Sequence, residues 1–175
     1  MAGDFVETGG VVAIEAANFA RAVAPAGRQW LTIPGHGRTQ SGVTALPVDA
    51  KSAETPQMRL DYALHLQTAG KVVVHATLAP TQKFQPGAGL RYAVSFDDEA
   101  PQLVNVHAGS SEQAWEKSVS DGATVLTSRH TIATAGRHTL KFWAVDAGVV
   151  LQKIVVDTGG LQDSYLGPPE SPRAR

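Results

Sequence analysis

The chain has 175 residues, fifteen Lys+Arg against sixteen Asp+Glu for a net charge of -1, and no cysteine. A domain of that size buries about two-thirds of its unfolded surface, so a core forms without disulfide staples. The charge balance, with no basic run, lacks the footprint of a nucleic-acid binder; the acidic opening "MAGDFVETGG" is not a signal peptide, and no stretch is long enough to span a bilayer.

Residues 1–10 read as an N-terminal extension. "VVAIEA" follows as a strand, and "EAANFARAV" makes at most a turn or two of helix. "QWLTI" and "VTALPV" are strand candidates on either side of the glycine-containing loop "PGHGRTQSG". In "QMRLDYALHLQ", Met58, Leu60, Tyr62, Leu64 and Leu66 alternate with Arg59, Asp61, His65 and Gln67, the pattern of a half-buried antiparallel strand. "KVVVHATLA" comes after Thr68-Ala69-Gly70, a short link of the hairpin kind. "LRYAVSF" turns Leu90, Tyr92, Val94 and Phe96 inward, and "QLVNV" is a further candidate. Only "SEQAWEKSVS" is helical, with Trp115 and Val119 one turn apart. "TVLTSRHTIA", "HTLKFW" and "VVLQKIVV" complete a rhythm of about ten short strands separated by Gly, Pro, Asp and Ser clusters. The tail "LGPPESPRAR", with Pro168, Pro169 and Pro172, is an extended strap or a frayed end. The expectation is an all-β fold, an antiparallel β-sandwich of jelly-roll type over residues 11–171, with 172–175 as a C-terminal tail.

Catalysis finds little support. Glycoside hydrolysis needs two carboxyl groups facing each other ~5–9 Å apart. The densest acidic set, Asp97-Asp98-Glu99 before Ala100-Pro101, is a solvated turn, because neighbours on a strand point to opposite faces. A tight hairpin after Gln67 would set His65 opposite His75, but two ligands make an incomplete metal site, and both histidines read as solvent-facing. GxSxG, HExxH and P-loop signals are missing, and no GK[ST] follows "GHGRTQSG". The domain by itself therefore reads as no enzyme. Sugar binding asks for less: an aromatic face and a few polar groups. The candidates are Trp30 with His36, Arg38 and Gln40 of the loop, and Trp143 with Asp146 at the turn in "FWAVDAGVV". Core packing competes for either tryptophan. Arg38, between glycine-containing segments, is placed to fork onto a carboxylate, which points to an acidic sugar.

The stretches "PTQKFQPGAGLRYAVSFDDEAPQLVNV" and "HTLKFWAVDAGVVLQKIVVDTGGLQDSYLGPPES", with "AIEAANF" and "WLTIPGHGRTQSGVTALPV", resemble the C-terminal domain of the xylan α-glucuronidases, glycoside hydrolase family 115. The resemblance runs from about Val11 to about Ser171 and implies an all-β accessory domain similar to carbohydrate-binding modules, lying after a catalytic barrel in a secreted or periplasmic parent. It implies two kinds of partner: xylan or a uronic acid-bearing oligosaccharide, and the parent's own barrel, with neither nucleic acid nor membrane. The family's catalytic carboxylates have no counterpart in this chain. "IEAANF" is similar to the opening of the calcium-holding modules of carbohydrate-binding families 6 and 35, but only Glu15 matches; Ala17 replaces a second acid, and Gln152 stands roughly where those modules place an aspartate. No cofactor is expected, and Glu15 is the one weak candidate ligand for a structural calcium.

Overall fold

A computed structural model describes residues 3–52, 55–84, 86–87, 89–109 and 111–174. The elements are β1 (Phe5–Val6), β2 (Val11–Glu15), β3 (Arg21–Val23), β4 (Gln29–Ile33), β5 (Gly42–Leu46), β6 (Met58–Leu66), β7 (Gly70–Leu78), β8 (Arg91–Phe96), β9 (Gln102–Asn105), α1 (Glu112–Asp121), β10 (Thr124–Ile132), β11 (Gly136–Ala144) and β12 (Val150–Asp157). Sheet I has the order β1-β6-β11-β8-β9, with β3 sharing the β6 edge with β1. Sheet II has the order β10-β7-β12-β5-β4, with β2 sharing the β12 edge with β5. Every pairing is antiparallel except β1 on β6. The expected β-sandwich is the observed one.

Period-two alternation builds the core. Leu60, Tyr62, Leu64 and Leu66 of β6, with Tyr92, Val94, Leu140 and Phe142 of sheet I, pack on Val72, Val74, Ala76, Ile154 and Val156 of sheet II. Tyr92 and Phe142 stack at 5.1 Å between ring centroids, and the buried Tyr62 hydroxyl donates to the Ala16 carbonyl at 2.8 Å. Burying such side chains stabilises by roughly 1.5–3 kcal/mol each, and a buried phenol needs its acceptor.

Three expectations are corrected. Residues 68–70 do not close a hairpin: β6 pairs with β11 and β7 with β10 and β12, so the link crosses from one sheet to the other. Each strand has one buried face, and alternation is satisfied by either arrangement. Residues 3–10 of the expected 1–10 extension are integral to the sandwich, since Phe5 is 1% exposed and the buried Glu7 carboxylate ties the corner. It accepts from the Gln67 and Thr68 backbone N–H groups and from the Thr68 and Thr158 hydroxyls, at 2.7–3.0 Å. "EAANFARAV" forms no helix; β2 ends at Glu15, and β3 begins at Arg21 after a turn.

The expected helix is present. Ser111 caps it by accepting from the Ala114 N–H at 3.2 Å, and Gly122, at φ 64°, ends it with its N–H on the Ser118 and Val119 carbonyls. Its buried residue is Ser118, whereas Val119 faces solvent. No helix among the described residues is long and apolar enough to cross a membrane.

Candidate functional site

The six residues proposed for a sugar site lie in three places. Trp30, on β4 at the edge of sheet II, packs against Ala45, Met58 and Ala144 and donates its indole N–H to the Val23 carbonyl at 3.1 Å. It is core. Trp143 stands on the outer face of sheet I, beside Ala93 and Arg59 on the neighbouring strands. Its N–H donates to Ser95 Oγ at 2.9 Å, and the Arg59 guanidinium lies 5.0 Å from its ring centroid. Asp146 is not beside it as a ligand group: the buried carboxylate takes a two-point clasp from Arg91, at 2.8 and 3.0 Å. Burial raises the Asp146 pKa, but the Arg91 bonds outweigh that and hold it below the usual range.

His36, Arg38 and Gln40 do share the 34–41 loop, and His36 and Gln40 are exposed. Arg38 is drawn inward. Its backbone N–H donates to Gln152 Oε1 at 3.1 Å, its Nη2 donates to the Tyr165 carbonyl, and its guanidinium lies 3.9 Å from the Tyr165 ring centroid. Tyr165 belongs to the strap. Residues 161–168 cross the outer face of sheet II; beyond them Glu170 accepts from the Glu15 N–H and from Asn18, Ser171 exchanges backbone and hydroxyl bonds with Ala13 of β2, and Pro172 and Arg173 meet β1.

Beneath the strap is a cavity of about 270 Å3, lined by Arg38, Thr39, His75, Thr77, Lys153 and Tyr165 among others. The register shift between Leu151 and Lys153 creates the cation there. A β-bulge adds a residue, so Leu151 and Ile154 both point inward and Lys153 turns out under the strap. Its Nζ meets Glu15 Oε1 at 3.1 Å and the Leu166 and Pro168 carbonyls at 3.2 and 3.1 Å. Two buried nitrogens of the cavity, Arg38 Nε and His75 Nε2, have no hydrogen-bond partner among the described residues. Burial lowers the His75 pKa, opposed in part by the nearby Asp157 carboxylate.

The same contacts test calcium. The Glu15 oxygens are occupied by Lys153 and by the Thr39 hydroxyl at 2.7 and 2.8 Å, and Gln152 spends its amide on Arg38 and the Gly122 carbonyl. An ammonium group stands among the oxygens a hard cation would need, so these residues do not fit a calcium ion. His65 and His75 lie on opposite outer faces, and no trio of His, Asp or Glu among the described residues is placed to hold a metal.

Long-range polar contacts had no signal in the spacing. Asp97 and Glu99 are bonded rather than merely solvated: Asp97 takes His138 at 2.7 Å and Glu99 takes His130 at 2.7 Å. His130 also meets Ser128 Oγ at 2.8 Å, which gives a Ser–His–Glu sequence of contacts. Ser128 and His130 sit two apart on one strand and are buried, so the chain ties the β10 edge to the β8–β9 turn. The adjacent polar pair Gln152-Lys153 inside an apolar run is the one local sign that a bulge was coming.

The architecture defines a β-sandwich of the carbohydrate-binding-module type. Solved structures with this fold include the C-terminal family 6 module of a marine laminarinase from Zobellia galactanivorans (TM-score 0.54, 11% identity, 84% of this chain and 98% of that one) and a family 35 module from Clostridium thermocellum (TM-score 0.51, 15% identity, 83% and 97%). A family 115 4-O-methyl-α-glucuronidase with specificity for decorated arabinogalactans is similar at TM-score 0.64 and 19% identity, over 86% of this chain; the chain spans 18% of that enzyme's length. A search of curated proteins gives no match. Residues 4–170 match the glycosyl hydrolase family 115 C-terminal domain, and the chain belongs to that family.

Proposed function

We propose that this domain is a non-catalytic accessory module of a xylan α-1,2-glucuronidase, binding glucuronoxylan through its glucuronic acid side groups in the cavity under the strap. One observation carries the reading: Arg38 Nε and His75 Nε2 are buried, unpartnered, and lie on one cavity. Unmet buried donors cost about 1–3 kcal/mol each, and a carboxylate with two acceptor oxygens satisfies both when His75 carries its proton on Nε2. Stacking on Tyr165 fixes the guanidinium plane, and the Thr77 hydroxyl suits a sugar ring. Of the nearby acids, Glu15 is paired with Lys153, Asp157 accepts from the backbone N–H groups of Gly159, Gly160 and Leu161, and Asp163 is exposed. Membership of the family supports a carbohydrate ligand.

The test is retardation of the chain in affinity gels containing glucuronoxylan, unsubstituted xylan or arabinogalactan, the last because of the similar glucuronidase's specificity. Strongest retardation by glucuronoxylan is expected. Arg38→Ala should weaken binding by roughly 1.5–3 kcal/mol. Arg38→Lys discriminates better: an ammonium keeps a bond to the Tyr165 carbonyl but not the planar fork, so affinity falls while the melting temperature holds. Equal migration in all gels removes the proposal.

The second reading is a domain that docks on its barrel or holds a dimer. It rests on the open face of sheet I, where Leu103, Ala93, Trp143 and Arg59 form a row across four strands and Leu103 is 58% exposed. Equal gel migration, with dimer dissociation on Trp143→Ala, would favour it.

A further inference from the structure

We infer a second carbohydrate site, for a neutral pyranoside chain, at the end of the sandwich where α1 packs over the β7–β8 and β9–α1 connections. A cavity of about 500 Å3 lies there, within the roughly 300–1,000 Å3 of small-molecule sites. Trp115 lines it. Of the chain's three tryptophans, Trp30 and Trp143 give their indole N–H to protein acceptors. Trp115 has no acceptor for its own among the described residues, although its ring is half-buried. An aromatic ring with a spare donor is what a sugar uses: the ring meets C–H groups, and the donor meets a hydroxyl oxygen.

The rest of the lining agrees. Gln82 and Thr124 offer an amide and a hydroxyl that make no other bond among the described residues, while Ala108, Gly109 and Ala114 are small and leave the room open. Among the described residues no carboxylate lines the cavity, Lys83 Nζ is engaged by the Gly87 carbonyl, and the one other ionisable side chain there is the His107 imidazole, so the lining suits a neutral ligand better than a charged one. The next residue, Phe84, is 54% exposed and rests on Gly148, where a Cβ would come within 2.4 Å of its ring. A second aromatic face is thus held at the same end. The Arg38 cavity is lined by other residues, so either site can fail without the other.

The experiment is an NMR titration of the full chain with xylohexaose and with a linear galactohexaose, reading the indole N–H signals assigned through Trp115→Phe. Saturable movement of the Trp115 signal by at least one sugar, with Trp30 and Trp143 still, is expected. Free glucuronic acid should leave Trp115 unmoved, and Arg38→Lys should bind the neutral chain normally. Gln82 is exposed, so Gln82→Ala tests the site without threatening the fold; it should weaken binding about threefold or more, as for a lost neutral hydrogen bond. The inference is overturned if neither sugar moves Trp115, if Trp143 moves instead, or if Gln82→Ala and Trp115→Phe both bind as the unmodified chain does.

Discussion

The outer faces of the two sheets are built from the same alternating strands, yet an outward cation has a different environment on each. On sheet I, Arg137 pairs with Asp4 at 2.8 Å with its side chain 73% exposed. On sheet II, Lys153 pairs with Glu15 at 3.1 Å with its side chain 5% exposed, because residues 161–168 lie over it. Water screens the first pair and has been stripped from the second. "Outward" in a strand therefore means solvated only where nothing crosses the sheet.

The sharpest way to break this contrast is to remove one cation from each face. Lys153→Ala leaves the Glu15 carboxylate buried with only the Thr39 hydroxyl as partner, and should cost about 3–5 kcal/mol. Arg137→Ala should cost under about 1 kcal/mol. Urea unfolding of both variants gives the comparison, and equal losses would mean that the strap does not exclude water. Lys153→Met with Glu15→Leu should recover most of the loss, since an apolar replacement of a buried pair is often close to neutral.

What could be read from the chain divides along the same line. Alternation in "QMRLDYALHLQ" and "HTLKFW" names the inward residues without error, because one buried face is a local property. Which strands pair is not local, and the short link after Gln67 serves a hairpin or a crossing equally well. Trp143 and Asp146 look like neighbours at one turn, but Asp146 is claimed by Arg91, fifty-five positions earlier. Phe5 and Glu7 gave no pattern because β1 has two residues. The strap was legible as an extended segment from its prolines; that it would cover a bulged lysine was not, since the bulge reverses the facing that alternation predicts. The family's sequence stretches carried the fold, whereas the cavity residues His75, Lys153 and Tyr165 are visible only once the strap lies on the sheet.

A smaller effect should come from His75. Burial holds its pKa below the ordinary 6.5, so the folded state favours the neutral ring. A base with a depressed folded-state pKa contributes stability above its unfolded pKa and loses it as the pH falls through the folded value. Thermal melts between about pH 8 and about pH 5.5 should show an acid-side loss that His75→Gln reduces. A uronate carboxylate reverses the preference by stabilising the imidazolium, so the same acidification should tighten uronate binding in the unmodified chain. If affinity and stability fall together on acidification, His75 does not face the carboxylate.

The smallest expected effect is that of a chelator. Calcium at Glu15 would have to displace Lys153, whose Nζ already has one carboxylate and two carbonyl oxygens at 3.1–3.2 Å. The internal cation cannot diffuse away, so the strap should stay closed in excess EDTA. Melting temperatures with calcium and with EDTA are expected to agree. A bound ion at a hundred times its dissociation constant would add about 2.7 kcal/mol, so a drop of more than roughly 5 °C in EDTA would show that an ion is held after all. Lys153→Ala is the control that gives the result meaning. With the ammonium gone, Glu15 and the two strap carbonyls are left facing one another, and calcium should then raise the variant's melting temperature while leaving that of the unmodified chain unchanged. A variant as indifferent to calcium as its parent would mean that the oxygens around Lys153 are set for an ammonium group alone.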